Sequence, residues 1–208
     1  MNEPDPIVYI VEDDIAVSRS TVRLVQSAGY KVKAFPSAGH FLEELPSEQH
    51  GCLVLDVRLP GLDGMELQHR LIQSGIHLPI IFITGHGDIP MTVRAMKAGA
   101  VEFLTKPFRP DDLLGSIRTA LKRDREALRE RAEIARLRLR HATLTTRERE
   151  VLQLIVTGLL NKQIADKLAT TERTIKFHRA HIMQKMQAGS LAELVRMAGR
   201  LGLARPPE

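Results

Sequence analysis

The chain has 208 residues, of which 43% are hydrophobic and 26% are charged. This length suits two domains of ordinary size, and this composition is that of a folded globular protein rather than a disordered one. No apolar run is long enough to cross a membrane, no secretory signal begins the chain, and the single cysteine, Cys52, excludes an intrachain disulfide. We therefore expect a cytoplasmic protein.

The charge differs between the two halves of the chain. Residues 1–121 contain 11 basic and 15 acidic residues, a net charge of −4, whereas residues 122–208 contain 19 and 10, a net charge of +9. An acidic half joined to a basic half indicates two tasks, and the basic half is suited to a polyanionic partner such as nucleic acid.

The first 121 residues alternate short apolar runs with amphipathic segments. Continuous apolar runs are typical of strands covered on both faces, and their alternation with helices predicts an α/β doubly wound five-stranded parallel sheet. We predict strands at 7–11, 32–35, 52–55, 80–83 and 101–104, and helices at 15–28, 38–45, 64–74, 90–98 and 110–121.

Residues 122–142 contain no glycine or proline and are predicted to form a long linker helix. Leu121, Leu128, Ala135 and Ala142 recur every seven residues, a narrow stripe of the coiled-coil kind. Two interpretations stay open: a helix that pairs with a second copy, and a solvated helix without a partner.

From residue 143 onward the pattern is helical throughout and predicts an all-α module of four helices. Thr145 followed by Glu148 fits a capping box at the start of the first helix. The glycines Gly158 and Gly189 are placed where helices are expected to stop. The predicted helices span 146–157, 161–168, 172–186 and 190–201.

Charged and polar residues follow the predicted strands. Glu12 and Asp13 come after the first strand, Asp56 ends the third, Thr84 ends the fourth and Lys106 follows the fifth. The carboxyl ends of parallel strands lie at one edge of a doubly wound sheet, so these side chains are expected to converge. Clustered carboxylates need a cation, and hard oxygen ligands suit Mg²⁺.

Residues 7–121 resemble the receiver domain of two-component response regulators, which has a flavodoxin-like or CheY-like fold. The resemblance covers this whole half of the chain and rests on several motifs. These are Val11–Asp14, Leu55–Gly64, Ile83–Asp88, Ala95–Ala100 and Phe103–Phe108.

The resemblance implies that Asp56 is the phosphoacceptor. It implies that Asp13 ligates Mg²⁺ directly, that Glu12 does so mainly through water, and that the main-chain carbonyl of Arg58 is a third protein ligand. Asp14 matches a variable position of the family, and an acid at the start of a helix is favoured by the helix dipole.

By the same resemblance, Thr84 hydrogen-bonds the phosphoryl group and Lys106 pairs with it. Phe103 is then the aromatic switch residue coupled to Thr84, because phosphorylation adds nearly two charges toward which Thr84 can move. A fixed core aromatic at Phe103 is the alternative.

Residues 144–203 resemble the LuxR-type helix-turn-helix, and the whole chain resembles the FixJ-like branch of the NarL/FixJ response regulators. The matching words are Leu144–Leu152, Asn161–Ala165 and Thr174–His178. In this motif the second helix enters the major groove of DNA. The residues expected to contact DNA are Lys162, Arg173, Thr174, Lys176, Phe177, Arg179 and Ala180.

Within this set, Lys176, Phe177 and Ala180 are expected to face the bases, and Lys162, Arg173 and Arg179 the phosphates. A solvated surface charge is the alternative for each basic residue. Many relatives carry lysine at the position of Ala180, so this chain has one polar side chain fewer to contact the bases. His178 and His181 are interpreted as packing or phosphate-contact residues rather than metal ligands.

These features predict a phosphorylation-dependent transcription regulator. A sensor histidine kinase is expected to supply the phosphoryl group, and duplex DNA half-sites, a second copy of the chain and RNA polymerase are the other expected partners. The predicted domains are a receiver at 1–121, a linker at 122–142 and a DNA-binding domain at 143–208. The receiver is expected to assist only its own phosphorylation and dephosphorylation, so the chain is not predicted to be an enzyme.

Two other classes of protein are alternatives. A hydrolase of the haloacid type also uses an aspartate nucleophile on an α/β sheet, but its second aspartate, two residues later, is replaced here by Arg58. A phosphosignalling module whose helical half binds RNA or protein is excluded if the chain binds duplex DNA strongly and with a steep salt dependence, but not RNA.

Overall fold

The computed structural model describes residues 5–45, 50–85 and 87–203. The chain forms two compact units, and the division between them falls between Leu128 and Arg129. Residues 1–4 and 46–49 of the predicted receiver, residues 204–208 of the predicted DNA-binding domain and His86 of one receiver motif lie outside the described residues.

A parallel five-stranded sheet forms the centre of the first unit. Its strands are β1 (Ile7–Val11), β2 (Lys31–Phe35), β3 (Gly51–Asp56), β4 (Ile80–Thr84) and β5 (Glu102–Thr105). All neighbouring strands are parallel, in the order β2-β1-β3-β4-β5. The strand order reverses between β1 and β3, and in doubly wound sheets a site forms beyond the carboxyl ends of the strands at such a point.

The helices of the first unit connect these strands. They are α1 (Ile15–Ser27), α2 (Ala38–Glu44), α3 (Gly64–Gln73), α4 (Ile89–Lys97) and α5 (Pro110–Ala142), of which α5 continues beyond the unit. The side chains of Asp14, Ser37, Asp63 and Asp88 cap the first four helices by accepting main-chain N–H groups. These residues give each helix a defined start, because the first N–H groups of a helix have no partner within it.

The sheet is covered on both faces, which is why its central strands are continuously apolar. Successive side chains of a strand point to opposite faces. Tyr9, Leu53 and Phe82 pack on one face with Phe41 and Leu67, and the opposite face has its own cluster. That cluster includes Val8, Ile10, Cys52, Val54, Ile81, Ile83, Leu113 and Ile117.

The helix α5 is one continuous element of 33 residues. The sequence divides it into a receiver helix at 110–121 and a linker at 122–142, both predicted to be helical. Asp124 is buried within the first unit and Leu137 is buried as well, whereas Leu139 is 71% exposed. No helix among the described residues is long and apolar enough to cross a membrane.

The second unit is helical. Besides the end of α5 it contains α6 (Thr146–Val156), α7 (Asn161–Lys167), α8 (Glu172–Met186) and α9 (Leu191–Arg200). The predicted capping box of Thr145 and Glu148 is present at the start of α6. The helix α8 ends before Gly189, with Gln187 in the left-handed conformation, so Gly189 is not its terminating residue. The apolar core of this unit includes Val151, Leu152, Ile164, Ile175, Ile182, Met186 and Leu194.

Candidate functional site

The polar residues at the strand ends meet at one edge of the sheet. Glu12 and Asp13 follow β1, Asp56 is the last residue of β3, and these two strands are neighbours. Thr84 is the last residue of β4, and Lys106 directly follows β5. Residues distant in sequence are therefore adjacent because the strands are parallel and in register.

Lys106 connects two of the carboxylates. Its Nζ lies 2.6 Å from Glu12 Oε2 and 2.6 Å from Asp56 Oδ2. Glu12 and Asp56 are buried, with exposed fractions of 2% and 6%. Such buried carboxylates repel each other unless a cation lies between them, and the ammonium group of Lys106 occupies that position.

Glu12, Asp13 and Asp56 also form a set of possible metal ligands. One carboxylate oxygen from each residue lies within 4.8 Å of the others. Asp13 is exposed at the surface, whereas the other two are buried. An open set of hard oxygen donors with room for water fits Mg²⁺ better than softer metals, so the residues fit the ion expected from the sequence.

The ionisation of Glu12 and Lys106 reflects this crowding. Burial raises the pKa of Glu12; the hydrogen bond from Lys106 acts in the opposite direction but does not outweigh burial together with the charge of Asp56. Burial lowers the pKa of Lys106, but its hydrogen bonds to Asp56 and Glu12 reverse the effect, so this pKa lies above its ordinary value. Lys106 therefore carries its positive charge in the site.

Thr84, Phe103 and Gly87 lie close to one another. Thr84 is fully buried and Phe103 is half-buried, with its ring centroid 6.1 Å from that of Phe82. A Cβ atom on Gly87 would lie 2.8 Å from Phe103 Cε1 and 3.3 Å from Thr84 Cγ2. The absence of a side chain at Gly87 thus allows the aromatic ring to lie next to this threonine.

Arg58 and Asp14 have different roles around the site. The main-chain N–H of Arg58 donates to Asp56 Oδ1 over 2.9 Å, and the Arg58 side chain is exposed. Asp14 caps α1 by accepting the N–H groups of Ala16 and Val17, which confirms its interpretation as an acid at a helix start. The peptide bond between Lys106 and Pro107 is cis.

The helices α7 and α8 form the second candidate surface. The short turn between them contains Ala169 in a left-handed conformation, and Thr171 caps α8 by accepting the N–H of Thr174. Ile175 and Ile182 are buried in the core of the unit. These apolar residues fix one side of α8 in the core, whereas the residues on its other sides are exposed or half-buried.

The seven candidate DNA contacts are not equally exposed. Lys162, Arg173, Lys176, Phe177 and Ala180 are exposed, and Phe177 is 59% exposed despite its large apolar ring. Thr174 and Arg179 are half-buried. Arg179 Nη1 donates to Asn161 Oδ1 over 2.9 Å, a contact that joins α8 to the start of α7.

The sequence predicted only the capping box of one polar cluster beside α8, and the contacts of Lys185 and His181 with Glu148 were missed. Glu148 is only 3% exposed, and its Oε2 accepts hydrogen bonds from Lys185 Nζ over 2.6 Å and from the Thr145 N–H over 2.7 Å. His181 Nδ1 lies 3.8 Å from Glu148 Oε1. Besides the capping box of Thr145 and Glu148, the sequence signal for this cluster is the spacing of His181 and Lys185 by four residues, which places both on one side of α8.

Two family models match the chain. The response regulator receiver domain matches residues 8–118, and the model of bacterial regulatory proteins of the luxR family matches residues 142–198.

Curated relatives match nearly the whole chain. Nodulation protein W of Bradyrhizobium diazoefficiens is 51% identical over 198 residues, which are 95% of this chain and 87% of that protein. The transcriptional regulatory protein FixJ of the same bacterium is 45% identical over 196 residues, or 94% and 96% of the two chains. A solved structure of the response regulator StyR is similar with a TM-score of 0.81 at 49% identity, covering 94% of this chain and 99% of that one.

Proposed function

Because the chain belongs to the FixJ-like response regulators of the NarL/FixJ family, it is a phosphorylation-dependent transcription regulator, and we propose that Asp56 accepts the phosphoryl group. The contact of Lys106 with both Asp56 and Glu12 carries this proposal. This contact supports Asp56 as the nucleophile, because the site is buried and the ammonium group of Lys106 beside it can neutralise the charge on phosphoryl oxygens.

The phosphoryl transfer follows from the positions of Asp56 and Lys106. A carboxylate oxygen of Asp56 attacks the phosphorus atom of the donor, the bond between phosphorus and the kinase histidine breaks, and the histidine leaves with the bonding electron pair. Lys106 balances charge on the phosphoryl oxygens. The receiver in this way assists its own phosphorylation and, with water as the attacking group, its own dephosphorylation.

Glu12, Asp13, Asp56 and the main-chain carbonyl of Arg58 are proposed to hold Mg²⁺. The bound ion supplies positive charge to the phosphoryl oxygens. The three carboxylates fit this role because their oxygens lie within 4.8 Å of one another and Asp13 is open to solvent. Glu12 binds mainly through water in this proposal and Asp13 binds directly.

Thr84 and Phe103 are the proposed switch residues. Thr84 moves to hydrogen-bond the new phosphoryl oxygens. This movement leaves a space that the ring of Phe103 fills. The proximity of Gly87 to both side chains supports this coupling, because a Cβ atom at Gly87 would contact both the threonine and the ring.

The helix α8 is proposed to read DNA in the major groove. Lys176, Phe177 and Ala180 face the bases, Arg173 contacts a phosphate, and Thr174 borders the groove. Lys162 on α7 and the half-buried Arg179 are assigned to phosphates as well. One N–H group of Arg179 donates to Asn161, and its other N–H groups are proposed to contact the phosphate. Exposure of five of these seven residues supports the assignment.

The remaining proposals concern domains and partners. The receiver spans 1–121, the linker 122–142 and the DNA-binding domain 143–208. A sensor histidine kinase is the phosphodonor, a homodimer binds two DNA half-sites, and RNA polymerase is contacted at the promoter. A regulator with these partners is expected in the cytoplasm.

Phosphorylation with acetyl phosphate and Mg²⁺, followed by intact mass spectrometry, tests the acceptor. The wild-type chain is expected to gain one phosphoryl group and Asp56→Asn none, whereas Asp14→Asn, which keeps a capping side chain beside the site, is expected to behave as wild type. Stable phosphorylation of Asp56→Asn would contradict the assignment.

DNA recognition is tested by selection of duplexes from a randomised library with the phosphorylated full-length chain. We expect enrichment of paired half-sites, and loss of enrichment in Lys176→Ala. Enrichment of single-stranded RNA instead, or of no nucleic acid, would contradict the proposed reading of the second unit.

A further inference from the structure

Phe177 is the most exposed phenylalanine of the chain. Phe35, Phe41 and Phe82 are buried, and the other two are half-buried, whereas Phe177 is 59% exposed on the helix proposed to read DNA. An exposed ring normally exchanges between rotamers, and fixing it on binding costs affinity. A ring that reads a base therefore benefits from a neighbour that holds it in place beforehand.

His181 is that neighbour. Its ring centroid lies 4.1 Å from the centroid of Phe177, with the ring planes at 52°. The two residues are four positions apart on α8, which places them on the same side of the helix. His178, the next residue after Phe177, is further away, with its centroid at 6.1 Å in an edge contact.

His181 is in turn adjacent to a carboxylate that cannot move freely. Glu148 is buried at the start of α6, where its Oε2 is held by Lys185 and by the Thr145 N–H. Its other oxygen, Oε1, lies 3.8 Å from His181 Nδ1. The contacts thus lead from the fixed start of α6 through Glu148 and His181 to the ring of Phe177.

We propose that His181 is a positioning residue for sequence recognition: it holds the Phe177 ring ready to contact the 5-methyl group of a thymine in the major groove. The inference rests on the proposed DNA-binding function. Thymine is the base that presents an apolar group in this groove, and an uncharged ring has no hydrogen bond to offer the other bases. Glu148 acts one step further back, by limiting where the imidazole can lie.

The test uses the phosphorylated full-length chain and the duplex that the wild type selects from a randomised library. Thymines of that duplex are replaced one at a time by deoxyuridine, which removes only the methyl group. We expect one replacement in each half-site to weaken wild-type binding about fourfold, the factor that corresponds to burial of one methyl group.

Two substitutions separate the ring of His181 from its polarity. His181→Gln keeps a polar group beside Glu148 but loses the ring, and we expect binding about two- to tenfold weaker, as for loss of one pre-ordered side chain. His181→Tyr keeps an aromatic face against Phe177 and is expected to restore most of the affinity. Thermal unfolding followed by far-UV circular dichroism checks that both variants are folded.

The decisive comparison is a double-mutant cycle. If His181 acts through Phe177, then His181→Gln has no further effect in a Phe177→Leu background or on the deoxyuridine duplex. An equal loss in all these backgrounds, or no loss at all, would overturn the inference while leaving DNA binding intact. Failure of the wild type to select any duplex would overturn the proposed function as well, so the two failures are distinguishable.

Discussion

The carboxylate of Asp124 in α5 accepts a hydrogen bond of 2.9 Å from the main-chain N–H of Gly51, the first residue of β3. The same oxygen is hydrogen-bonded to Nδ1 of His50. Asp124 is 3% exposed, although it lies in a strongly charged segment of the sequence. It therefore attaches the long helix to the start of the central strand, three residues beyond the boundary predicted for the receiver.

Asp124→Ala is expected to destabilise the receiver by about 1–3 kcal/mol, because the buried N–H of Gly51 loses its acceptor. The chain has no tryptophan, and both its tyrosines, Tyr9 and Tyr30, lie in the receiver. Urea unfolding followed by tyrosine fluorescence consequently reports on this domain. Glu126→Ala, an exposed change on the same helix, is the control and should have little effect; equal midpoints for both variants would contradict the role of Asp124.

Position 51 requires glycine for two reasons: no space is left for a side chain, and the backbone has a positive φ. A Cβ atom at this position would lie 1.8 Å from the main-chain oxygen of Ile7, and φ is +141°. We expect Gly51→Ala to cost more than about 4 kcal/mol, because a main-chain atom of β1 cannot move aside without disrupting the sheet. Gly29→Ala is the matched control, since Gly29 also has a positive φ but nothing within 4 Å.

The control at Gly29 should cost only about 1–3 kcal/mol, the strain of a left-handed alanine. Tyrosine fluorescence during urea unfolding measures both variants. A receiver that tolerates Gly51→Ala as well as Gly29→Ala would show that β1 and β3 do not approach as closely as described.

Lys106→Met leaves Glu12 and Asp56 facing each other without a cation. We expect the receiver to lose about 1–3 kcal/mol of stability in the absence of divalent ions, because two buried carboxylates then repel. Mg²⁺ is expected to restore part of the loss, since it binds only the folded arrangement. Urea titrations with and without MgCl₂ measure the difference; a deficit that Mg²⁺ leaves unchanged would argue against a metal at these carboxylates.

The stability of the second unit is expected to depend on the charge of Glu148. Burial raises the pKa of this carboxyl, but the hydrogen bonds from Lys185 and Thr145 outweigh burial, so the pKa lies below its ordinary value of 4.5. A lowered pKa in the folded state means that the stabilisation is present above the ordinary value and is lost as the pH falls through the folded-state value.

Glu148→Gln is therefore expected to lower stability by about 1–3 kcal/mol at neutral pH, through loss of the charged hydrogen bond with Lys185. The gap between variant and wild type should close at acidic pH, where the wild-type carboxyl is protonated. Far-UV circular dichroism follows the unfolding, since this unit has no tyrosine. Glu150→Gln, at an exposed ion pair with Arg147, is the control, and a gap independent of pH would contradict the prediction.

Much of the fold could be predicted from the sequence, because the two signals for it, apolar runs and residues that cap helices, are local. Apolar runs of four or five residues such as Ile80–Ile83 must be covered on two faces, and residues such as Asp63 and Thr145 mark where helices begin. The predicted strands and the helices before α5 agree with the structure to within one residue at each end. The acidic cluster was equally predictable, because parallel strands place their carboxyl ends together.

Which residues of α5 are buried was not predictable in the same way. Asp124 is one of many charged residues in its helix, and only its contacts with His50 and Gly51, 74 and 73 positions earlier, set it apart. The heptad stripe runs through Leu128 and Ala135, yet Leu137 is the buried leucine of this part. Periodicity records which residues share a helix face but not which face meets a partner. Pairing of this helix with a second copy stays a prediction.

Between Asp124 and Leu137, the helix α5 presents several arginines to solvent and has few apolar residues to anchor it. They are Arg125, Arg129, Arg131 and Arg136. Trypsin cleaves a helix only where it has opened, so the rate of cleavage at these arginines measures how often this part of α5 unwinds. Comparing that rate before and after phosphorylation would show whether the helix itself responds to Asp56.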